Sequence, residues 1–362
     1  MSVILAIFIA AAGCLFSSWR IYWSPWACFP GPKLAALSSW YEWYWEVYRK
    51  GQLNAHLQDL HASYGPVVRY GPKHVHFNDP ALYRDVYKWH PSFGKDPAFY
   101  GAPKYSSTFR ETNISKHAAR RQVLSRRFSP AVVRQRMPVI ERHCEHLWQK
   151  LDRLTQAGRK NFNFFNLCRS FAADLLSTYM SGTTFGCMDD DEQGFDGNFI
   201  RAIQHTSDTY FDNRNIFLAR WTSLLKMFGY GPPPLDKMLD ELTFSDGLVE
   251  DYLSAKDSKG KEDTVFAILT QPGAVKDFSP LSKPELMAEG RSLLAAGVNT
   301  VGFTLSSTLF YIARDEDVQL RLQTELDTST PQQTLASLPY MVGNLSIFIL
   351  SDRLTLYTRP PV

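Results

Sequence analysis

The sequence is poor in cysteine, and the cysteines it has are scattered. There are five in 362 residues, an odd number, and no two of them form a Cys-x-x-Cys pair. A disulfide framework needs paired cysteines and a zinc ribbon needs closely spaced pairs, so the pattern argues against both and favours a reducing compartment. The cysteines are Cys14, Cys28, Cys144, Cys168 and Cys187.

The chain also lacks an excess of charge and several catalytic signatures. Its 39 Lys and Arg residues nearly balance 36 Asp and Glu residues, so no nucleic-acid partner is expected. No Gly-rich phosphate loop of the Walker or dinucleotide type occurs. Neither Gly-x-Ser-x-Gly nor His-Glu-x-x-His occurs, which leaves a hydrolase or a zinc enzyme as a weak third alternative.

Apolar and aromatic side chains are abundant. Hydrophobic residues make up 44% of the chain and aromatic residues 14%, with 24 Phe and 9 Trp. A chain of this length can bury a large core, as one large domain or as two smaller ones. The aromatic residues suit a helical protein built around a bulky apolar pocket, and they suit an ordinary core equally well.

The first 23 residues form an apolar segment in which Arg20 is the only charged residue. As a helix, residues 3–23 would extend ~31 Å at about 1.5 Å per residue, which matches a bilayer core. A cleaved signal peptide begins with a basic stretch, and none precedes this apolar run. Residues 1–23 are therefore predicted to be an uncleaved transmembrane anchor, with the rest of the chain cytosolic. Residues 24–33, with the run Phe29-Pro30-Gly31-Pro32, are predicted to be a stiff hinge.

Beyond the hinge, the pattern predicts a mainly α-helical domain with one small β-hairpin. Residues 67–70 and 74–77 alternate in polarity on either side of a Gly-Pro-Lys turn, as the two strands of a hairpin do. Asp79 is predicted to cap the helix that follows. From His117 to Leu326, apolar residues recur at the three- and four-residue spacing of amphipathic helices.

Two histidine pairs invite a metal-site interpretation. His74 and His76 fall on one face of a predicted strand, and His143 and His146 fall on one face of a predicted helix. No third ligand stands near the first pair in the sequence. The helix around the second pair already has an apolar stripe, so a solvated polar face is the preferred interpretation there, and no metal site is predicted.

A long helix with an unusual centre is predicted from Ser282 to about Arg314. Ser282 and Glu285 form a capping box at its start, and its length is ~47 Å at about 1.5 Å per residue. Each glycine in its centre costs about 1 kcal/mol relative to alanine, which suggests that something large lies against this face. Close helix–helix packing is the alternative. The small and polar residues are Ala295, Ala296, Gly297, Asn299, Thr300 and Gly302.

A second group of candidate residues is the pair His117 and Arg121. Four residues apart on a helix, they lie on one face, so an imidazole donor and a guanidinium point the same way. Together they could hold a carboxylate, with Arg121 binding it through two hydrogen bonds. The alternative is a basic helix face that is merely solvated.

These features, in this order, resemble the cytochrome P450 family, in particular the fungal secondary-metabolism members that include trichodiene oxygenase. The resemblance rests on the anchor and hinge, the segment YGPVVRYGPKHVHFNDPALYRDVY, His117-x-x-x-Arg121, the run Ala296-Gly297-Val298-Asn299-Thr300, and Leu338-Pro339-Tyr340. It implies a mainly α, incomplete P450 fold with one N-terminal transmembrane helix.

The resemblance also implies a function. It implies a haem b cofactor, with His117 and Arg121 at its propionates and the small residues Ala296 and Gly297 making room for it. Thr300 would serve dioxygen activation, with Asn299 in place of the usual acid. The implied reaction is oxidation of an apolar metabolite, terpenoid- or polyketide-like, with electrons from NADPH-cytochrome P450 reductase at the endoplasmic reticulum membrane.

The end of the sequence departs from the family pattern. After Leu338-Pro339-Tyr340 the family continues with Glu-x-x-Arg and a loop FxxGxRxCxG that holds the haem-ligating cysteine. Here no glutamate follows Glu325 and the last cysteine is Cys187. Residues 34–345 are therefore predicted to be a partial P450 domain and residues 346–362 a tail outside the family pattern. The chain is predicted to be inactive alone, and a non-catalytic membrane-anchored helical protein is the alternative function.

Overall fold

The structure is a computed structural model that divides into two compact units, each described here by itself. The first unit comprises Met1–Gly94 with Ser207–Pro233, and the second comprises Lys95–Thr206 with Pro234–Val362. The residues that the structure describes are 2–87, 93–100, 105–158, 162–189, 195–204, 235–254, 261–272 and 275–328.

The first unit is a set of short helices around one β-hairpin, as predicted. Its helices are α1 (Ser2–Ser18), α2 (Lys33–Leu37), α3 (Trp40–Trp43), α4 (Leu53–Tyr64) and α5 (Tyr83–Val86), with π-helical turns at Trp19–Trp23 and Tyr44–Tyr48 and a 3-10 turn at Pro80–Leu82. Its strands are β1 (Val67–Arg69) and β2 (Val75–Phe77). The Asp79 side chain caps the 3-10 turn by accepting from the Ala81 N–H at 2.9 Å.

The hairpin and α4 share a small core. The strands are antiparallel, with Val68 opposite His76 in the register. Leu53, Leu57 and Leu60 recur along one face of α4 and are buried together with Val68. The sequence predicted both elements because their patterns are local, with period two in the strands and three to four in the helix.

The predicted hinge is packed onto the hairpin. The Arg69 N–H donates to the Pro30 carbonyl at 2.7 Å, and a Cβ built on Gly31 would lie 2.2 Å from the Arg69 carbonyl oxygen. The buried Arg69 guanidinium donates to the carbonyl of Arg20 at 3.2 Å and to that of Pro72 at 2.8 Å. Glycine at position 31 is therefore required by the close approach of two backbones.

The second unit is helical throughout its described residues. Its helices are α6 (Pro97–Tyr100), α7 (Ile114–Arg127), α8 (Pro130–Gln135), α9 (Met137–Gln156), α10 (Phe164–Ser181), α11 (198–204), α12 (Leu235–Ser254), α13 (Val265–Thr270), α14 (Lys283–Arg314) and α15 (Glu316–Thr328), with a 3-10 turn at Cys187–Asp189.

The long helix α14 is the centre of this unit. It begins with the predicted capping box, in which the Ser282 N–H donates to the Glu285 carboxylate at 3.0 Å. It packs mainly against α10 and α12. Its buried residues Leu286, Leu294 and Val298 join the main hydrophobic core. Burial of this face, more than intrinsic propensity, stabilises so long a helix with three interior glycines.

By length and hydropathy alone, one helix among the described residues could cross a bilayer, and it is α14. The core helix of a soluble protein meets the same two criteria. Of the most apolar 18-residue window of α14, 22% is buried, and Leu286, Leu294 and Val298 of the helix belong to the main core. The predicted anchor corresponds to α1 and the turn Trp19–Trp23. Large apolar side chains of α1 are exposed, among them Ile7 and Phe8. The assignment of residues 1–23 as an anchor remains a prediction.

Candidate active site

One face of α14 carries Thr300, which was predicted to serve dioxygen activation, and Ala296, which was predicted to leave room for haem. Ala296 and Thr300 follow Glu289 by seven and eleven residues. At about 100° per residue, the three side chains therefore lie on one side of the helix. Glu289 is buried, whereas Ala296 and Thr300 are exposed. The Thr300 hydroxyl donates to the Ala296 carbonyl at 2.7 Å, which leaves its oxygen lone pairs available on the exposed side. Asn299 is half-buried beside them.

The glycines of the motif face another way. A Cβ on Gly297 would lie 2.3 Å from Leu176 Cδ1, and one on Gly302 would lie 2.6 Å from Arg169 Cγ and 3.1 Å from its Cα. Both glycines therefore admit the close approach of α10, as the packing alternative proposed. The small side chain of Ala296 lies on the exposed face instead. The role of Gly297 at a cofactor remains a prediction.

The side chains of Lys95, His117 and Arg121 lie near one another at the start of α7. His117 is half-buried and Arg121 is exposed one helical turn further on, as predicted. Burial lowers the pKa of His117, and the positive charges of Lys95 and Arg121 lower it further. Burial likewise lowers the pKa of Lys95, and the Arg121 charge adds to this, against the opposite effect of Glu111 and Glu289. The cluster of Lys95, His117 and Arg121 is thus suited to an anionic ligand.

Arg121 has no ion pair or hydrogen bond with any residue that the structure describes. Its neighbour Arg120 differs. Arg120 is buried, donates to Glu285 at 2.5 Å and to the Ser106 carbonyl, and lies 3.9 Å from Glu111. The guanidinium at position 120 is thus held within the fold, whereas the one at 121 is available to a ligand.

Glu289 joins the cationic cluster to α14. Its carboxylate accepts from the Thr108 N–H at 2.6 Å and from the Thr108 hydroxyl at 2.9 Å, and burial raises its pKa. Lys95 donates to the carbonyls of Thr108 and Phe109 at 3.2 and 2.7 Å. The cluster therefore lies at the end of the α14 face that continues to Ala296, which is ~10 Å further along the helix at about 1.5 Å per residue.

The cysteines do not complete this site. Burial raises the pKa of the Cys168 thiol to about 11, and Cys168 lies on α10, which packs against the glycine face. Burial and the Glu141 charge raise the pKa of Cys144. The backbone N–H of Cys187 donates to Asp174 of α10 at 2.8 Å. Cys14 and Cys28 belong to the first unit. The residues thus fit the carboxylates of a porphyrin, and the Cys168 thiol, with its raised pKa, is protonated near neutral pH.

The histidine pairs hold structural contacts. The His74 imidazole donates a 2.7 Å hydrogen bond to the Glu42 carboxylate, and His76 shares one of 2.7 Å with His61. Among the described residues, no group of three His, Cys, Asp or Glu side chains could hold a metal ion. His143 is half-buried and bonds the Thr178 hydroxyl at 3.1 Å, so the expectation of a solvated polar face was wrong at this position.

Three residues of the site were missed in the sequence. Lys95 and Thr108 precede the His117 motif in irregular segments, where no periodic pattern marks them. Glu289 could have been found, since an acid seven residues before Ala296 on a mostly apolar helix shares its face.

Comparison with known proteins identifies the family of the chain. A family model described as cytochrome P450 matches residues 32–343, and the chain therefore belongs to the cytochrome P450 family. Cytochrome P450 monooxygenase sol6 of Alternaria solani is 28% identical over 344 residues, which cover 91% of this chain and 74% of that protein. Cytochrome P450 monooxygenase macH of Penicillium terrestre is 29% identical over 346 residues, which cover 89% of this chain and 66% of that protein.

Two further matches bear on activity and on fold. Tryptophan 6-hydroxylase fscE of Fusarium equiseti is 26% identical over 351 residues, which cover 91% of this chain and 65% of that protein. The solved structure of retinoic acid bound cyanobacterial CYP120A1 matches with a TM-score of 0.53 at 17% identity, covering 81% of this chain and 63% of the other, and shows the fold alone. The chain spans about two-thirds of the length of these proteins.

Proposed function

We propose that this chain is related in type to the haem-thiolate monooxygenases of fungal secondary metabolism, whose reaction would be oxidation of an apolar terpenoid- or polyketide-like metabolite, and that it is inactive by itself. The observation that carries the proposal is the α14 face. Its buried Glu289 end adjoins Lys95, His117 and Arg121, and its Ala296–Thr300 end is exposed. The fungal monooxygenases that the chain resembles support the reaction class.

The residues of the site would have different roles. Haem, when bound, supplies the oxygen-activating chemistry of the family. His117, Arg121 and Lys95 would hold its two propionates, and Ala296 leaves space beside Thr300. The Thr300 hydroxyl, already donating to Ala296, would accept a hydrogen bond from water and orient that water for proton delivery. The Asn299 amide has no ionisable proton, so Thr300 and water would carry the relay.

The membrane and the reductase belong to the same proposal. Residues 1–23 would anchor the chain in the endoplasmic reticulum membrane, residues 24–33 would connect the anchor to the domain, and residues 34–345 would form its cytosolic part. NADPH-cytochrome P450 reductase would supply the electrons.

A second candidate function is a non-catalytic interaction protein. It is favoured by one observation: Cys168 of α10, the helix that packs against α14, is buried, and burial raises its pKa to about 11. We propose that these 362 residues do not ligate iron through sulfur by themselves. Tight binding of the reductase by a chain that takes up no haem would support this function over catalysis.

Arg121→Gln is expected to weaken haemin binding about tenfold. A hydrogen bond to a charged group contributes ~1.5–3 kcal/mol, which corresponds to roughly 10-fold or more in a dissociation constant. The measurement is titration of the full chain in detergent micelles, following quenching of tryptophan fluorescence by haemin.

Two controls make the haemin test specific to carboxylate recognition. Arg126→Gln changes an exposed arginine of the same helix and should leave the affinity unchanged. Haemin dimethyl ester lacks free carboxylates, so its weaker binding should not respond to Arg121→Gln. Equal losses for the acid and the ester would contradict the propionate assignment.

A further inference from the structure

A buried carboxylate of α14 holds the irregular segment at Thr108 in place. Glu289 is 2% exposed, and its Oε2 atom accepts from both the N–H and the hydroxyl of Thr108. Thr108 is buried as well. A buried carboxylate is costly unless it is hydrogen-bonded, and bonds to an ionised group are roughly twice as strong as bonds between neutral groups. The two bonds therefore fix the position and the orientation of Thr108 on α14.

The backbone at Thr108 holds a lysine on its other side. The N–H and the hydroxyl of Thr108 are bonded to Glu289, and its carbonyl accepts from the Lys95 ammonium at 3.2 Å. The next carbonyl, that of Phe109, accepts from the same ammonium at 2.7 Å. An ammonium group has three N–H donors, so these two bonds to described residues leave one donor for a ligand.

Lys95 differs from the other two cations of the site in how the chain places it. His117 and Arg121 lie one turn apart on α7, so the helix itself sets their spacing. Lys95 lies in an irregular segment before α6, so its position depends on individual contacts. The charges of Lys95 and Arg121 both act on His117, which places the three groups in one site. The bonds from Lys95 to the segment at Thr108 therefore decide whether its ammonium belongs to that site.

We propose that Glu289 is a positioning residue for the carboxylate-binding site: through Thr108 it places the Lys95 ammonium where that group can bind a haem propionate. The inference rests on the proposed function, in which His117 and Arg121 bind the same ligand. Glu289 acts through its hydrogen bonds to Thr108 and does not itself meet the ligand. An amide oxygen in the same place could accept both bonds, because a carbonyl oxygen has two lone pairs.

The test is a double-mutant cycle on haemin affinity, measured with the full chain in detergent micelles by quenching of tryptophan fluorescence. Lys95→Gln is expected to weaken haemin binding about tenfold, as the loss of a hydrogen bond to a charged group does. Glu289→Leu should weaken it about fivefold, because Lys95 then loses most of that bond. In a chain that already carries Lys95→Gln, Glu289→Leu should cause no further loss of affinity.

A conservative variant and two controls separate positioning from general damage to the fold. Glu289→Gln keeps an oxygen acceptor for Thr108 and should retain most of the haemin affinity. Glu285→Leu is the matched control, since it changes an acid of the same helix one turn earlier whose carboxylate bonds Arg120 instead. It should leave haemin affinity unchanged. Haemin dimethyl ester lacks free carboxylates, so its binding should respond to none of these changes.

Two results would overturn the proposal. One is an equal loss from Glu289→Leu with and without Lys95, and the other is a loss for Glu289→Gln as large as that for Glu289→Leu. The proposed function fails separately, when Arg121→Gln leaves haemin affinity unchanged. If Glu289→Leu does not fold, Thr108→Val replaces it in the cycle and removes only the hydroxyl. A loss of about threefold that disappears in the Lys95→Gln chain is then expected, and an unchanged affinity would overturn the proposal.

Discussion

Arg120→Leu is expected to lower the free energy of unfolding by about 3 kcal/mol, while Arg121→Leu changes it by less than about 0.5 kcal/mol. Removing one partner of a buried ion pair costs ~3–5 kcal/mol because the remaining charge stays buried, and exposed substitutions are usually within ~0.5 kcal/mol. Arg120 is 8% exposed at its side chain, with Glu111 at 11% and Glu285 at 28%. Because Glu285 is partly exposed, the expected loss of unfolding free energy for Arg120→Leu lies at the lower end of that range.

The Arg120 and Arg121 variants form a matched pair, since they remove the same group from adjacent positions of α7. Denaturant unfolding in detergent micelles, followed by far-ultraviolet circular dichroism, measures both. Haemin affinity should show the reverse order, with the larger loss at Arg121. Equal losses of unfolding free energy for the two variants would contradict a structural role for Arg120 and a ligand-binding role for Arg121.

Asp174→Ala is the second change with a large expected effect, a loss of about 2–6 kcal/mol in the free energy of unfolding. Asp174 of α10 is 1% exposed and accepts from the N–H groups of Cys187 and Met188 at 2.8 and 2.9 Å. Leaving a buried donor unsatisfied costs ~1–3 kcal/mol, and the substitution leaves two. Asp174→Asn retains one oxygen acceptor and should lose less.

The pH dependence at Asp174 has a definite sign. Burial raises its pKa, against the opposing effect of the hydrogen bonds from Met188 and Cys187. The folded state therefore holds this proton more strongly than the unfolded chain. The contribution is fully present below the unfolded pKa of about 3.9 and is lost as pH rises through the folded pKa. Asp174→Asn should flatten that part of the stability profile, and an unchanged profile would contradict the assignment.

Elements with local signals were predictable from the sequence. The hairpin, the Asp79 cap and the capping box of Ser282 and Glu285 depend on residues within a few positions of one another. The full extent of α14 followed from its cap and its uninterrupted periodicity. The family was predictable because its motifs occur in a fixed order.

The division of the α14 motif between two faces was not predicted. That Gly297 and Gly302 meet Leu176 and Arg169 depends on how α10 packs, which no local pattern shows. A signal for Arg120 was present, because it lies one turn before the buried Val123 and Leu124 on the apolar stripe of α7. The predicted motif Leu338-Pro339-Tyr340 lies outside the described residues.

We propose that the chain binds the carboxylates of haem through Lys95, His117 and Arg121 and supplies no sulfur ligand to the haem iron. The most direct measurement is the carbon monoxide difference spectrum of the reduced full chain after reconstitution with haemin. We expect bound haem without the red-shifted Soret band of a thiolate complex. A thiolate band that disappears in Cys168→Ser or Cys187→Ser would contradict it.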